Sequence, residues 1–391
     1  MSRISIPAAV LAVALALSAC GSPTIANGSL ALVGGTLITG TGAAPVADAV
    51  LVINGSTIVA AGPRSRVRVG DVESVMDVAG ATILPGFINA HVHDAFSGTR
   101  LAVWAEAGVT TVRDEGIQPG DGSLPDLIAY RNGSLRQPRF ARLVSAGYIM
   151  TATGGYGQLA VASADEARLR ATEELDQGAD MLKVAVEDGI AGRTDMNVLP
   201  SAALAAIVGV AHERHTLVSA HVTDARFLQT IVSAGADDAA HATWDPVPDS
   251  TFRQMIARRI AMVPTLTVLE AYGALAGSQA NLRRFVAMGG EVALGNDYTE
   301  PPQNGFAHFD LGMPMWEIHR MAEAGMSRMQ VIVAATRNAA RVCGLLDSLG
   351  TLEAGKIADV LVVNGNPLQD LNALTDVRLV IHGGVVIRRA P

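Results

Sequence analysis

The rhythm of the middle of this chain constrains its fold most. Across residues 85–343, short β-rich runs alternate with stretches of helical periodicity. The runs are "INAHVH", "VTTVRD", "ARLVSAG", "DMLKVAVE", "TLVSAH", "DDAAHA", "AMVPTLTV" and "EVALGND". Helices are predicted between them, over 97–107, 124–131, 163–178, 201–214 and 224–235, from 249, up to about 288, and over 312–324 and 327–340. Ser163 with Glu166 three residues on is a capping box. Phe227, Leu228, Ile231 and Val232 share one helical face. Strands alternating with helices force neighbouring strands parallel. Eight such units predict a (β/α)8 TIM-like barrel.

The two ends differ from the middle and resemble each other. "AVLVINGSTIVAAG" is a hairpin around Asn54-Gly55, and "VRLVIHGGVVIRR" is another around Gly383-Gly384. The expected organisation is α/β: a β-sandwich built from residues 29–84 and 344–391, with the barrel over 85–343 inserted between. Hydrophobic residues make up 49% of the 391 and aromatics only 4%, so small side chains must fill the core. The net charge of −8 and the lack of any Lys/Arg run exclude a nucleic-acid partner.

The N-terminus reads as an export signal. Arg3 precedes an apolar run from Ile4 to Leu17, and small residues lead to Cys20. Leu17-Ser18-Ala19-Cys20 resembles a bacterial lipobox, which implies a lipidated Cys20, a signal peptide over 1–20 and a polar tether over 21–28. The alternative is an ordinary membrane anchor, for which the run falls short of the about 20 residues a span needs. The expectation is an extracytoplasmic, membrane-anchored lipoprotein. The other cysteine, Cys343, then has no partner for a disulfide.

In a barrel of this kind, active sites lie at the C-terminal strand ends. His91 and His93 stand at the first, Lys183 on the fourth, His221 at the fifth, His241 at the sixth and Asp297 at the eighth. Alternate residues of a strand share a face, so His91 and His93 can bind one ion together. Taken alone, H-x-H more often describes two hydrogen-bonded core histidines; the other strand-end residues tip the reading to a metal. Buried Lys183 is costly when charged. It either pairs with Glu187 or Asp188, or loses its proton and reacts with carbon dioxide to give an anionic carbamate.

This set resembles the amidohydrolase superfamily, most closely its imidazolonepropionase-like and Xaa-Pro-dipeptidase-like members. "ATILPGFINAHVH", "EAGVTTVRDEG" and "ATRNAARVCGLLDSLGTLEAGKIADVLVVNGNPLQD" carry the resemblance beyond the ligands. It implies a metal-dependent hydrolase with two divalent ions, zinc before manganese, cobalt or iron. His91, His93 and Asp297 would hold one ion and His221 and His241 the other, with carbamylated Lys183 and a water or hydroxide bridging. Asp297 would take the water's proton and pass it to the leaving amine. The implied substrate is a small molecule with a C–N bond in an amide, cyclic amide or dipeptide. Alternatives are an ester, lactone or phosphotriester substrate, or a lipoprotein that only binds a solute.

The chain also departs from the pattern. Asn296 stands where the superfamily often has threonine, Tyr156 where dipeptidase-like relatives often have histidine, and Thr223 where they often have tyrosine. Tyr156 and Thr223 are candidate substrate-binding residues; loop packing is the alternative for Tyr156. Asp94 either supports the site or is merely solvated at a strand end.

Overall fold

The computed structural model describes residues 23–118, 120–189, 194–300 and 305–390. The expected signal peptide and Cys20 lie outside them. No described helix is long and apolar enough to cross a membrane.

Seven parallel strands run in sequence order: Phe87–Val92, Val109–Asp114, Arg142–Thr151, Met181–Ala185, Val218–His221, Asp238–Ala240 and Ala261–Val263. Residues 291–298 fill the eighth place and close the barrel. On one side Met262 donates to the Glu291 carbonyl at 2.9 Å and Ala293 donates to Met262 at 3.0 Å. On the other, Ala90 donates to Leu294 at 2.8 Å, Asp297 to His91 at 2.9 Å and His93 to Tyr298 at 2.7 Å. Gly295 permits this approach, because a Cβ there would meet the His91 Cβ at 2.6 Å.

Helices cover the strands as the periodicity predicts. Ser97 caps Gly98–Glu106, Ser123 caps Leu124–Ser134 and Ser163 caps Ala164–Asp176. The Glu166 carboxylate accepts from the Ala162 N–H, one residue earlier than a capping box requires. Leu228, Ile231 and Val232 of Ala225–Ala234 are buried, as expected, while Phe227 is only half-buried. The closing helix runs through a π turn at Ala334–Asn338, and its Ala334 carbonyl accepts from the Leu294 N–H at 3.0 Å.

The chain ends form two further sheets. One orders Thr57–Pro63, Ala49–Asn54, Thr24–Val33 and Val67–Asp77. The other joins Val385–Arg389, Val377–His382 and Val360–Asn364 to Ala81–Pro85 and Thr36–Leu37, so both termini share it. Leu32, Leu51, Ile53, Ile83, Val360 and Ile381 pack between the two.

Three expectations are corrected. Residues 24–28 are not a tether: Thr24–Val33 pairs along Val67–Asp77. Thr24, Ile25 and Asn27 stay exposed there, yet their backbone is held in the ladder. The seventh strand stops at Val263, and Leu266–Ala271 is helical because Glu317 accepts the Leu266 and Thr267 N–H groups at its start. The third strand outruns "ARLVSAG" and continues to Thr151.

One buried carboxylate behind the third strand makes stability depend on pH. Glu174 is 2% exposed, accepts the Tyr148 N–H at 2.8 Å through one oxygen, and its other oxygen has no partner. Burial lifts its pKa from 4.5 to about 8. The folded protein therefore binds this proton more tightly than the unfolded chain. Its contribution is full below pH 4.5 and is lost as pH rises to about 8. The loss at pH 7 is on the order of 3 kcal/mol. Melting temperature should fall between pH 5 and 8 in the native protein, and Glu174→Gln should flatten that slope; an unchanged slope would remove Glu174 as its source.

Candidate metal centre

The closing bonds of the eighth strand carry Asp297 to the first strand. Asp297 Oδ1 lies 3.2 Å from His91 Nε2 and 3.3 Å from His93 Nε2. These three residues each offer a ligand atom within 4.8 Å of the others, and all are buried. The i, i+2 spacing thus delivers both imidazoles to one point. His93 Nδ1 faces the Gly116 carbonyl at 3.2 Å. Donation there leaves the Nε2 lone pair available to a metal.

Asp94 turns away from this cluster. Its carboxylate accepts from the Glu300 N–H at 2.8 Å and from Thr299 Oγ1 at 3.2 Å, so it holds the loop leaving the eighth strand. Asn296, the departure from the superfamily's threonine, has a local reason. Its Oδ1 accepts from Asn89 Nδ2 at 2.8 Å and from the Tyr298 N–H at 3.2 Å, tying the eighth strand to the first.

His221 and His241 meet beside Asp297. His241 Nε2 is 2.9 Å from His221 Nδ1, and His241 Nδ1 is 3.9 Å from Asp297 Oδ2. Thr265 sets the tautomers. Its hydroxyl donates to the Pro264 carbonyl at 2.9 Å, so its Oγ1 accepts from His241 Nδ1 at 2.5 Å. His221 Nδ1 must then donate to His241 Nε2, which leaves His221 Nε2 as an acceptor. That atom lies 3.1 Å from Glu187 Oε2, without hydrogen-bond geometry. Two acceptors face each other, an arrangement that a cation satisfies. Thr265 holds this place with φ 45° and Asp297 with φ 55°. Such left-handed backbone costs on the order of 1–3 kcal/mol per residue and collects at functional sites.

Lys183 does not pair with Glu187 or Asp188. Glu187 accepts from the Thr223 hydroxyl at 2.6 Å, and Asp188 from Arg226 at 2.8 Å. Instead Lys183 Nζ donates to Glu115 Oε2 at 2.5 Å. The Arg113 guanidinium lies against the other Glu115 oxygen at 2.6 Å, and it donates to Asp238 at 2.8 Å. Lys183, Glu115, Arg113 and Asp238 form a buried ladder of alternating charge. Glu115 was not singled out from the sequence, and Glu187 only as a partner for Lys183. Both stand at strand ends, so the rule that found the histidines could also have found them.

The electrostatics favour a cation. Asp297 is held well below the usual carboxylate range: burial opposes its ionisation, but His91 and His93 outweigh it. Burial, reinforced by the Lys183 charge, drops His91 to about 4, and burial with His221 drops His241 far below its ordinary value. Both rings are neutral near pH 7, as ligands must be. His93 rises to about 9 against its burial, because the Asp297 carboxylate beside it favours its charged form; a metal at Nε2 would have to displace that proton. His91 Nδ1, Glu187 Oε1 and His221 Nε2 are buried without hydrogen-bond partners. Neutral imidazoles, an ionised carboxylate and orphaned buried acceptors fit divalent metal.

A cavity of about 260 Å³ opens above the cluster, with His221, His241 and Asp297 at its floor. Tyr156 and Thr223 line it, and the Tyr156 ring lies over His221 with centroids 4.5 Å apart. Every candidate except Lys183 therefore borders the cavity or the cluster beneath it.

The profile of the amidohydrolase family matches residues 82–387, well over half of the chain. The chain belongs to the amidohydrolase family. This amidohydrolase is similar to an imidazolonepropionase of Solibacter usitatus, 26% identical over 364 residues, which cover 81% of this chain and 84% of that one. It is also similar to an ochratoxinase of Aspergillus niger, 25% identical over 414 residues, covering 89% and 84%. Among solved structures, a Xaa-Pro dipeptidase with bound methionine superposes with a TM-score of 0.79 at 23% identity, over 91% of this chain and 99% of that one. The A. niger ochratoxinase structure gives 0.78 at 22%, over 92% and 95%. The amidohydrolase acts on carbon–nitrogen bonds, and its family is metal-dependent.

Glu317 acts on the centre from a distance. Its carboxylate accepts the Leu266 N–H at 2.9 Å, the Thr267 N–H at 2.8 Å and the Thr267 hydroxyl at 2.8 Å, which pins Thr265 against His241. Glu317→Gln replaces one acceptor oxygen with a donor that faces those donors. Metal affinity of the variant, by competition with a chelator, should fall about 10- to 100-fold. Unchanged affinity would break the link between Glu317 and the centre.

Proposed function

We propose that this chain is a metal-dependent hydrolase that cleaves the C–N bond of an amide, cyclic amide or dipeptide outside the cytoplasm. The meeting of His91, His93 and Asp297 at a cavity floor, beside His221 and His241, carries this reading. His91, His93 and Asp297 would hold one divalent ion, and His221 and His241 a second, zinc being the first expectation. The family resemblance implies that Lys183 would bridge them once carbamylated, for which it would have to give up the pair it makes here with Glu115. When bound, the ions acidify a water and polarise the scissile carbonyl.

The chain's own residues do the rest. Asp297 is ionised and borders the cavity, placed to take a proton from the attacking water and return it to the leaving nitrogen. Water adds across the bond, giving a carboxylic acid and an amine. Tyr156 keeps its phenolic proton, because burial and the nearby Asp297 and Glu187 charges raise its pKa. Its hydroxyl is a neutral donor for the substrate carbonyl. Thr223, with its hydroxyl committed to Glu187, shapes the wall. An amide-cleaving relative, the ochratoxinase, supports the bond class.

The lipobox-like Leu17-Ser18-Ala19-Cys20 supports a membrane-surface location for this activity. Globomycin-sensitive processing of the full-length protein in a bacterial host would support that placement. Processing that ignores the inhibitor would oppose it.

The catalytic assignment is tested with Asp297→Asn in zinc-loaded protein, assayed on a panel of dipeptides and N-acyl amino acids. Turnover should fall about 10²- to 10⁴-fold, with metal largely retained through the histidines. Undiminished turnover would overturn the role of Asp297.

A further inference from the structure

The cavity walls differ in chemistry from its floor. Val268 and Leu269 come from the helix after the seventh strand and are 5% and 3% exposed. Tyr156, Trp244 and Tyr272 add three aromatic rings. The polar atoms of this wall are largely engaged elsewhere. Trp244 Nε1 donates to Asp224 at 3.2 Å and Thr223 Oγ1 donates to Glu187 at 2.6 Å. Above the floor, the wall offers ring faces, methyl groups and the Tyr156 hydroxyl.

Charge at the floor belongs to Asp297 and the metal it would hold, so a group distal to the scissile bond meets the wall above it. None of the described residues lining the cavity is a lysine or arginine. The buried cations of the barrel, Lys183 and Arg113, are already paired with Glu115 and Asp238. A substrate carboxylate seated against this wall, away from the metal-binding floor, would lose its water and gain no counter-charge from a side chain. A neutral ring would bury its faces against other rings at no such cost. The cavity volume of about 260 Å³ is below the usual range for drug-sized ligands, which suits a single ring with small substituents.

We propose that this site selects neutral amides whose group distal to the scissile bond is aromatic or branched apolar, and discriminates against substrates with a distal carboxylate. The proposal rests on the hydrolase reading above and narrows it away from dipeptides with a free C-terminus.

The test compares 4-methylacetanilide with 4-acetamidobenzoate on the zinc-loaded protein. The two share the same anilide bond and nearly the same size, and differ in the charge of the para group. The neutral compound should have a kcat/KM at least tenfold higher. Leu269→Arg, which adds a cation to the wall, should move the ratio toward the benzoate by at least tenfold. Equal or better cleavage of the benzoate by the native protein would overturn the proposal.

Binding to Asp297→Asn by calorimetry separates this claim from the hydrolase reading. Tighter binding of the neutral compound, with neither compound cleaved by the native protein, keeps the selectivity and overturns the hydrolysis. Equal or tighter binding of the benzoate, or no binding of either, overturns the selectivity.

Discussion

Three backbone hydrogen bonds between the first and eighth strands underlie the whole site. Ala90 to Leu294, Asp297 to His91 and His93 to Tyr298 close the barrel where the sheet is otherwise least regular. They bring together residues about two hundred positions apart in sequence. Their register sets which side chains meet, so Asp297 reaches both histidines of "HVH". Gly295 permits the approach, and Asn89 with Asn296 fixes the register. A shift of one residue would turn Asp297 away and dissolve the cluster. The left-handed backbone at Asp297 is the strain that this closure sustains.

Around that seam, charge is compensated in two separate ways. Below the histidines, Lys183, Glu115, Arg113 and Asp238 neutralise one another in full burial. Removing one partner of such a set leaves an uncompensated charge, which costs about 3–5 kcal/mol. At the cavity floor compensation is incomplete. Asp297 and Glu187 are ionised, His91 and His241 are neutral, and several acceptors lack partners. The first arrangement holds the barrel together. The second is left for a cation to complete, and the family's dependence on metal gives that cation its identity as a class.

Much of this was legible in the sequence for a physical reason. Strand-helix alternation sets the barrel, and the barrel's strand ends name the places where chemistry collects, so His91, His93, His221, His241 and Asp297 could be found without coordinates. Residues that act through other residues were not legible. Glu317 lies on a helix and reaches the site only because its carboxylate ends the strand at Val263 and starts a helix. That same contact is why "PTLTV" misled: its β-branched run looks extended, and tertiary hydrogen bonds override the propensity. Thr265 has no motif at all, since its role depends on a backbone angle. Glu115 sits at a strand end and was overlooked because the pairing of Lys183 was sought along its own strand, whereas the barrel offers partners across the interior.

Anomalous diffraction from crystals of the zinc-loaded protein, collected on both sides of the zinc edge, tests whether the His91, His93 and Asp297 cluster is a metal centre. An anomalous peak bounded by His91 Nε2, His93 Nε2 and the Asp297 carboxylate is expected. Zinc density only at surface histidines, with this cluster retaining its direct hydrogen bonds, would contradict it.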